Sequence, residues 1–175
     1  TTTTYTLDPY GRPTSILDPG GFTTTQVWDA ASNLTSVTRP IDATTTATTT
    51  YTYDARGNVL TETADATGEQ LVTSYTYSTA NDVTAIHVAD GTADEVQTTQ
   101  EYDAGGHLTK VTENAQNPAA SRVTEYAYTA HDELGAERDP SGTVTTYTYD
   151  TNGNLTVTVA NCTNTGTTPP GDPAW

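Results

Sequence analysis

The 175-residue chain has no methionine, one cysteine and one phenylalanine, and only six Lys or Arg stand against 22 Asp or Glu. Each shortage excludes something. A net charge of −16 argues against nucleic acid and anionic membrane surfaces as partners, because both are recognised through clustered positive charge. The lone Cys162 cannot close an intrachain disulfide, so no disulfide framework holds the fold. No stretch approaches the roughly 20 apolar residues that span a bilayer. No membrane insertion is expected, and no signal peptide opens the chain. The missing methionine and an opening Thr1–Thr4 that reads as mid-strand point to an excised or processed piece of a longer polypeptide.

Hydrophobic residues make up 33% of the chain, and with this charge the composition alone would suit a disordered polymer. Pattern argues otherwise. Eleven tyrosines are spaced along the sequence with threonines between them, and both residue types favour strands. Tyrosine must therefore supply much of the packing.

The spacing is a repeat. Leu7, Trp28, Tyr53, Tyr77, Tyr102, Tyr128 and Tyr149 recur every 21 to 26 residues. Each is followed by Asp8, Asp29, Asp54, Ser78, Asp103, Thr129 or Asp150, and three residues later by Gly11, Ser32, Gly57, Asn81, Gly106, Asp132 or Gly153. Two further on stand Pro13, Leu34, Val59, Val83, Leu108, Leu134 and Leu155.

In the copy Tyr147-Thr-Tyr-Asp-Thr-Asn-Gly-Asn-Leu155 the two tyrosines share one strand face. Asp150 suits the start of a type I turn, and Gly153 suits the left-handed residue of a three-residue hairpin loop. This predicts Asp150 opposite Asn154 and Tyr149 opposite Leu155, with Tyr147 and Tyr149 meeting Leu155 and Val157 on one face. A second turn closes each unit: Asp139-Pro-Ser-Gly142 is the clearest, and Asp18-Pro-Gly-Gly21 and Asp65-Ala-Thr-Gly68 are weaker relatives. The expected fold is all-β, about seven two-stranded antiparallel hairpins in an array with essentially no helix. The repeats occupy residues 1–159. Residues 42–50, DATTTATTT, form an insertion that is either a β-edge or a longer loop, and residues 160–175 form an irregular Pro- and Gly-rich tail.

No catalytic site, cofactor or metal is expected. His87, His107 and His131 lie nine, four and two residues after their Asp-equivalent positions, so they form no ladder, whereas a metal site needs converging ligands. No Gly-x-Ser-x-Gly elbow supplies a nucleophile. Asp54, Asp103 and Asp150 read as turn caps in preference to a calcium ladder, since calcium needs six or more oxygens and no calcium-loop motif is present. The tyrosine rows read as a packing face in preference to a sugar-stacking platform. Asn33, Asn154 and Asn161 stand in N-glycosylation sequons, two of which arise from the repeat's own Asn-Leu-Thr.

Tyr-x-Tyr-Asp-x-x-Gly-Asn-Leu, then Asp-Pro-x-Gly about ten residues on and Tyr-x-Tyr again, resembles the tyrosine-aspartate (YD) repeats of RHS and teneurin-like proteins over residues 1 to about 159. The resemblance implies a β-hairpin spiral and a scaffold role. In that family such spirals form a hollow shell, which encloses an effector domain in bacterial toxins and belongs to an adhesion receptor in teneurins. The family's bacterial members carry an aspartyl self-cleavage segment after the repeats, and nothing here matches it. A non-catalytic structural segment of a secreted or surface protein is therefore expected, its partners the rest of its own polypeptide and an enclosed effector. Two alternatives remain: a self-associating fibre subunit that joins identical copies through open β-edges, and a glycan-binding module.

Overall fold

A computed structural model describes residues 2–65 and 70–162. Fourteen antiparallel strands follow one another in chain order as one open sheet, with no helix among the described residues. They are β1 (Thr4–Leu7), β2 (Pro13–Leu17), β3 (Thr23–Trp28), β4 (Leu34–Pro40), β5 (Thr46–Tyr53), β6 (Val59–Asp65) and β7 (Gln70–Tyr77). Then come β8 (Val83–Val88), β9 (Val96–Tyr102), β10 (Leu108–Glu113), β11 (Arg122–Tyr128), β12 (Leu134–Arg138), β13 (Val144–Tyr149) and β14 (Leu155–Cys162). Each odd strand and the next even one form one of the seven repeats. Two compact units divide the chain: residues 1–76 with 86–95, and residues 77–85 with 96–175.

All seven aligned turn positions have positive φ, from +63° at Asp132 to +88° at Gly57. The backbone N–H of the residue opening each turn donates to the carbonyl four residues on, as from Asp54 to Asn58 (2.9 Å) and Asp150 to Asn154 (2.9 Å). Asp18-Pro-Gly-Gly21 and Asp139-Pro-Ser-Gly142 have the same geometry, with φ +86° and +85° at their last glycines and the same pair of backbone bonds. The two turns that look different in sequence are thus one turn type. The third relative, Asp65-Ala-Thr-Gly68, runs into residues 66–69, outside the described residues.

Tyr149 lies opposite Leu155 as the loop length predicts, but Val157 faces Thr148 and Tyr147 faces Thr158. A β-bulge one step beyond the turn causes the difference. The same shift recurs in hairpins β1–β2, β3–β4, β5–β6, β9–β10 and β11–β12. An extra residue on the return strand re-aims everything after it, which a simple period-two count does not anticipate.

Residues 46–50 belong to neither an edge nor a loop. They form the first half of β5, paired with β4 on one side and, from Thr48, with β6 on the other. The connection itself is Ile41 to Thr45, where Asp42 Oδ1 accepts the N–H groups of Thr44 and Thr45 (2.8 Å each). The last strand runs to Cys162, which pairs with Val144, three residues past residue 159. Residues 163–175 of the expected tail lie outside the described residues.

Burial is thin. Among the described residues only Val37, Ala85, Ala127, Ala136 and Val144 are buried, and none has a large side chain. Tyrosines such as Tyr51, Tyr53, Tyr126 and Tyr147 are half-buried. The tyrosine row is therefore half-buried and does not form a closed core.

A side chain at Gly106 would meet nothing within 4 Å, so Gly106→Ala tests the backbone alone. At φ +86° it should cost about 1 kcal/mol in urea unfolding, and Gly106→Asn less, because Asn tolerates this conformation better.

Candidate functional site

The recurrent unit is the structural site of this chain, and its centre is the turn. In the turn after β5, Asp54 Oδ1 accepts the N–H groups of Arg56 (2.8 Å) and Asn58 (2.9 Å), and Oδ2 accepts the Asn58 side-chain amide (2.9 Å). Asp150 does the same with Asn152 and Asn154. The Asn58 and Asn154 side-chain amides, followed by their backbone N–H groups, hold the two carboxyls below the usual aspartate range. Asp29 has the same arrangement with Asn33, so the amides of the Asn33 and Asn154 sequons are already engaged in their turns.

Two turns open with a hydroxyl, and there the polarity reverses. Ser78 Oγ accepts from the N–H groups of Ala80 and Asp82 and donates to Asp82 Oδ2 (3.0 Å). Thr129 Oγ1 does the same with His131, Glu133 and the Glu133 carboxylate (3.3 Å). An acceptor cap is thus followed four residues later by a donor (Arg12, Asn33, Asn58, His107, Asn154), and a donor cap by an acid (Asp82, Glu133). That pairing is visible in the sequence once both columns are compared.

The bulge is bonded too. Thr14, Thr35, Thr109 and Thr156 occupy the extra position, and each hydroxyl donates to the carbonyl eight residues earlier, at 2.9 to 3.2 Å. In β12 the position is Gly135. Thr35 and Thr156 are also the threonines of two sequons, and their hydroxyls fix the strand.

Four of the aromatic residues join their repeat to the one before, whereas Tyr102 donates to Gln100 of its own strand. The β4–β5 ladder stops at Ser36–Thr50, short of Leu34, and the Tyr53 hydroxyl donates to the Leu34 carbonyl (2.6 Å). Tyr128 takes the Leu108 carbonyl (3.0 Å) and Tyr149 the Leu134 carbonyl (2.9 Å). Trp28 uses its indole N–H on the Pro13 carbonyl (2.7 Å). In all four cases the ladder ends two residues before the carbonyl that the aromatic side chain then satisfies. Burial pushes the Tyr53 and Tyr128 phenols up, reinforced by negative charge nearby.

The RHS Repeat family model matches residues 8–40, 28–70 and 128–161, more than half of the chain. The chain belongs to the RHS-repeat family. Its fold is similar to solved structures of TcdB2-TccC3-Cdc42 (TM-score 0.57), TcdB2-TccC3 (0.57) and TcdB2-TccC3 without the hypervariable C-terminal region (0.56), each at 14% identity. Each match takes in 90% of this chain and 10% of the solved chain, so the RHS segment here spans about a tenth of those proteins. No curated protein matches it.

Charged residues of this RHS array form a second kind of cross-strand link. Glu101, Lys110, Glu125 and Arg138 lie opposite one another on β9, β10, β11 and β12. Lys110 bonds Glu101 and Arg138 bonds Glu125, both at 2.8 Å. Arg12 pairs with Asp8 and also donates to the Asp29 carbonyl and Ser32 Oγ (3.1 Å each), tying the first RHS turn to the second.

The three histidines occupy different environments. His131 is exposed on its turn. His107 caps its own turn through Asp103 (2.9 Å) and stacks on Tyr128, with ring centroids 4.7 Å apart. His87 meets Glu95 at 2.7 Å, with Asp90 close by. The histidines do not converge on one another, but His87 does converge with two carboxylates, a grouping that depends on how residues 89–95 fold back.

Removing the Tyr53 hydroxyl leaves the Leu34 carbonyl without its donor. Tyr53→Phe should lower unfolding free energy by about 1 kcal/mol, and Tyr5→Phe, on an exposed ring, by well under half of that. Acid should act through the turns. Carboxyls held low in the folded state bind protons less readily than in the unfolded chain, so their stabilisation is complete above about pH 4 and lost as pH falls through the folded values. Urea midpoints measured from pH 7 to 3 should decline at the acid end, and Asp54→Asn should start lower at pH 7 and show a shallower acid decline.

Proposed function

We propose that this chain is a non-catalytic structural segment of a larger secreted or surface RHS protein, its hairpins forming part of a β-shell wall that encloses or presents another domain, such as a toxin. The observation that carries this reading is the aromatic-to-carbonyl bond between successive repeats. It joins the first three hairpins to one another and the last three to one another, and such nearest-neighbour stacking suits a long wall better than a compact domain. The similarity to one tenth of much longer solved chains supports it. In this reading the repeats extend over residues 1–159, the segment acts outside the cell, and its partners are the rest of its polypeptide and the enclosed domain.

A fibre built of identical subunits is the second reading. It is favoured by terminal strands β1 and β14, whose Tyr5, Leu7, Leu155, Val157 and Val159 are exposed. Two measurements separate the readings. The native parent polypeptide should have a mass several times that of this chain, and electron microscopy of it should show these hairpins in the wall of a hollow particle. A mature polypeptide of only about this length, sedimenting as regular filaments, would overturn the shell in favour of the fibre.

A further inference from the structure

The connection between β8 and β9 departs from the capped turn. Val88 is followed by Ala-Asp-Gly-Thr-Ala-Asp-Glu95, a loop with positive φ at Ala89 (+57°) and Gly91 (+76°). A non-glycine residue in this conformation is uncommon, and surrounding contacts must hold it there. The Asp90 N–H donates to the Val72 carbonyl on β7 (2.9 Å), and the Thr92 N–H and hydroxyl both donate to the Ala89 carbonyl (3.1 and 2.7 Å). The loop consequently folds back over the end of β8. His87 Nδ1 lies 2.7 Å from Glu95 Oε1, and the Gly91 N–H donates to Glu95 Oε2 (3.3 Å), which orients the carboxylate. One imidazole nitrogen and one oxygen each from Asp90 and Glu95 lie within 4.8 Å of one another, and all three residues are half-buried.

We propose that His87, Asp90 and Glu95 form a binding site for a divalent late first-row transition ion of the zinc type. A tetrahedral ion with bonds of about 2.0–2.2 Å places its ligand atoms about 3.3 Å apart, a separation between the 2.7 Å His87–Glu95 contact and the 4.8 Å limit of the group. The donor set selects the ion class. An imidazole with two carboxylates suits Zn2+, Ni2+ or Cu2+, whereas Ca2+ and Mg2+ call for more oxygen ligands than three residues supply. Water completes the coordination. The ion takes the place of the direct His87–Glu95 contact. The site cross-links the strand and its loop, and holds the loop where the Asp-type cap is absent. It stands independently of the shell reading, since a fibre subunit would contain it equally.

The test is calorimetric titration of the full chain, carrying Cys162→Ser to remove its thiol, with ZnCl2 at neutral pH and 0.15 M salt. One saturable equivalent is expected, weakened about tenfold or more by His87→Ala and by Asp90→Asn, and unchanged by His131→Ala. Absence of saturable binding overturns the proposal, as does equal binding by the His87→Ala chain. If His87→Ala does not fold, as judged by circular dichroism, substoichiometric Co2+ added to the otherwise unaltered chain decides. Broadening of the His87 ring resonances ahead of those of His107 and His131 supports the site, and equal broadening of all three overturns it.

Discussion

A tight turn closed by its own side chain is the constraint on which the rest of this structure depends. Asp54, and its equivalents, ties down two backbone N–H groups inside a loop too short to hold them with water alone. Closing the loop this way requires a left-handed residue three positions on. A bulge follows one step later, and the strand leaves the turn displaced by one residue. The ladder to the next hairpin consequently stops short and leaves a carbonyl. Tyr53, Tyr128, Tyr149 and Trp28 answer that carbonyl, so the link between repeats originates in the turn.

The arrangement explains how a chain with so little apolar surface folds. A single open sheet buries few side chains, and among the described residues only three alanines and two valines are buried. Order must come from many short-range, repeated bonds between neighbours: turn caps, threonine hydroxyls across bulges, aromatic donors to carbonyls, and the Glu101–Lys110 and Glu125–Arg138 pairs. Half-exposed ion pairs are individually weak. Their repetition along one axis is what a solenoid-like array exploits. Tyrosine suits the purpose because one residue provides both a covering ring and a terminal donor.

The same logic marks the β8–β9 loop as different. Elsewhere in the described residues short connections are closed by Asp, Ser or Thr, and the other long connection, between β10 and β11, is held in a similar way by the Ala115 N–H on the Gln97 carbonyl. After β8 the chain takes a longer path, held by Asp90 on β7 and by the His87–Glu95 contact. What sets it apart from the β10–β11 connection is its mixed nitrogen and carboxylate donor set.

Much of this was legible beforehand, because a repeat displays its rules several times. The period, the seven hairpins, the left-handed positions and the pairing of Tyr149 with Leu155 follow from residue types whose stereochemistry is local: Asp at a turn, Gly at positive φ, β-formers between. The reversal of donor and acceptor at Ser78–Asp82 and Thr129–Glu133 was also present in the sequence, as a relation between two columns. Tertiary structure decided the rest. The bulge moved Val157 from Tyr147 to Thr148, the Thr-rich run became the first half of a strand paired on both sides, and His87 met Glu95 across a loop. Local stereochemistry fixes a turn within five residues. Register beyond a bulge, the carbonyl left for an aromatic donor and the convergence of side chains eight residues apart depend on how strands lie beside one another, which no five-residue window contains.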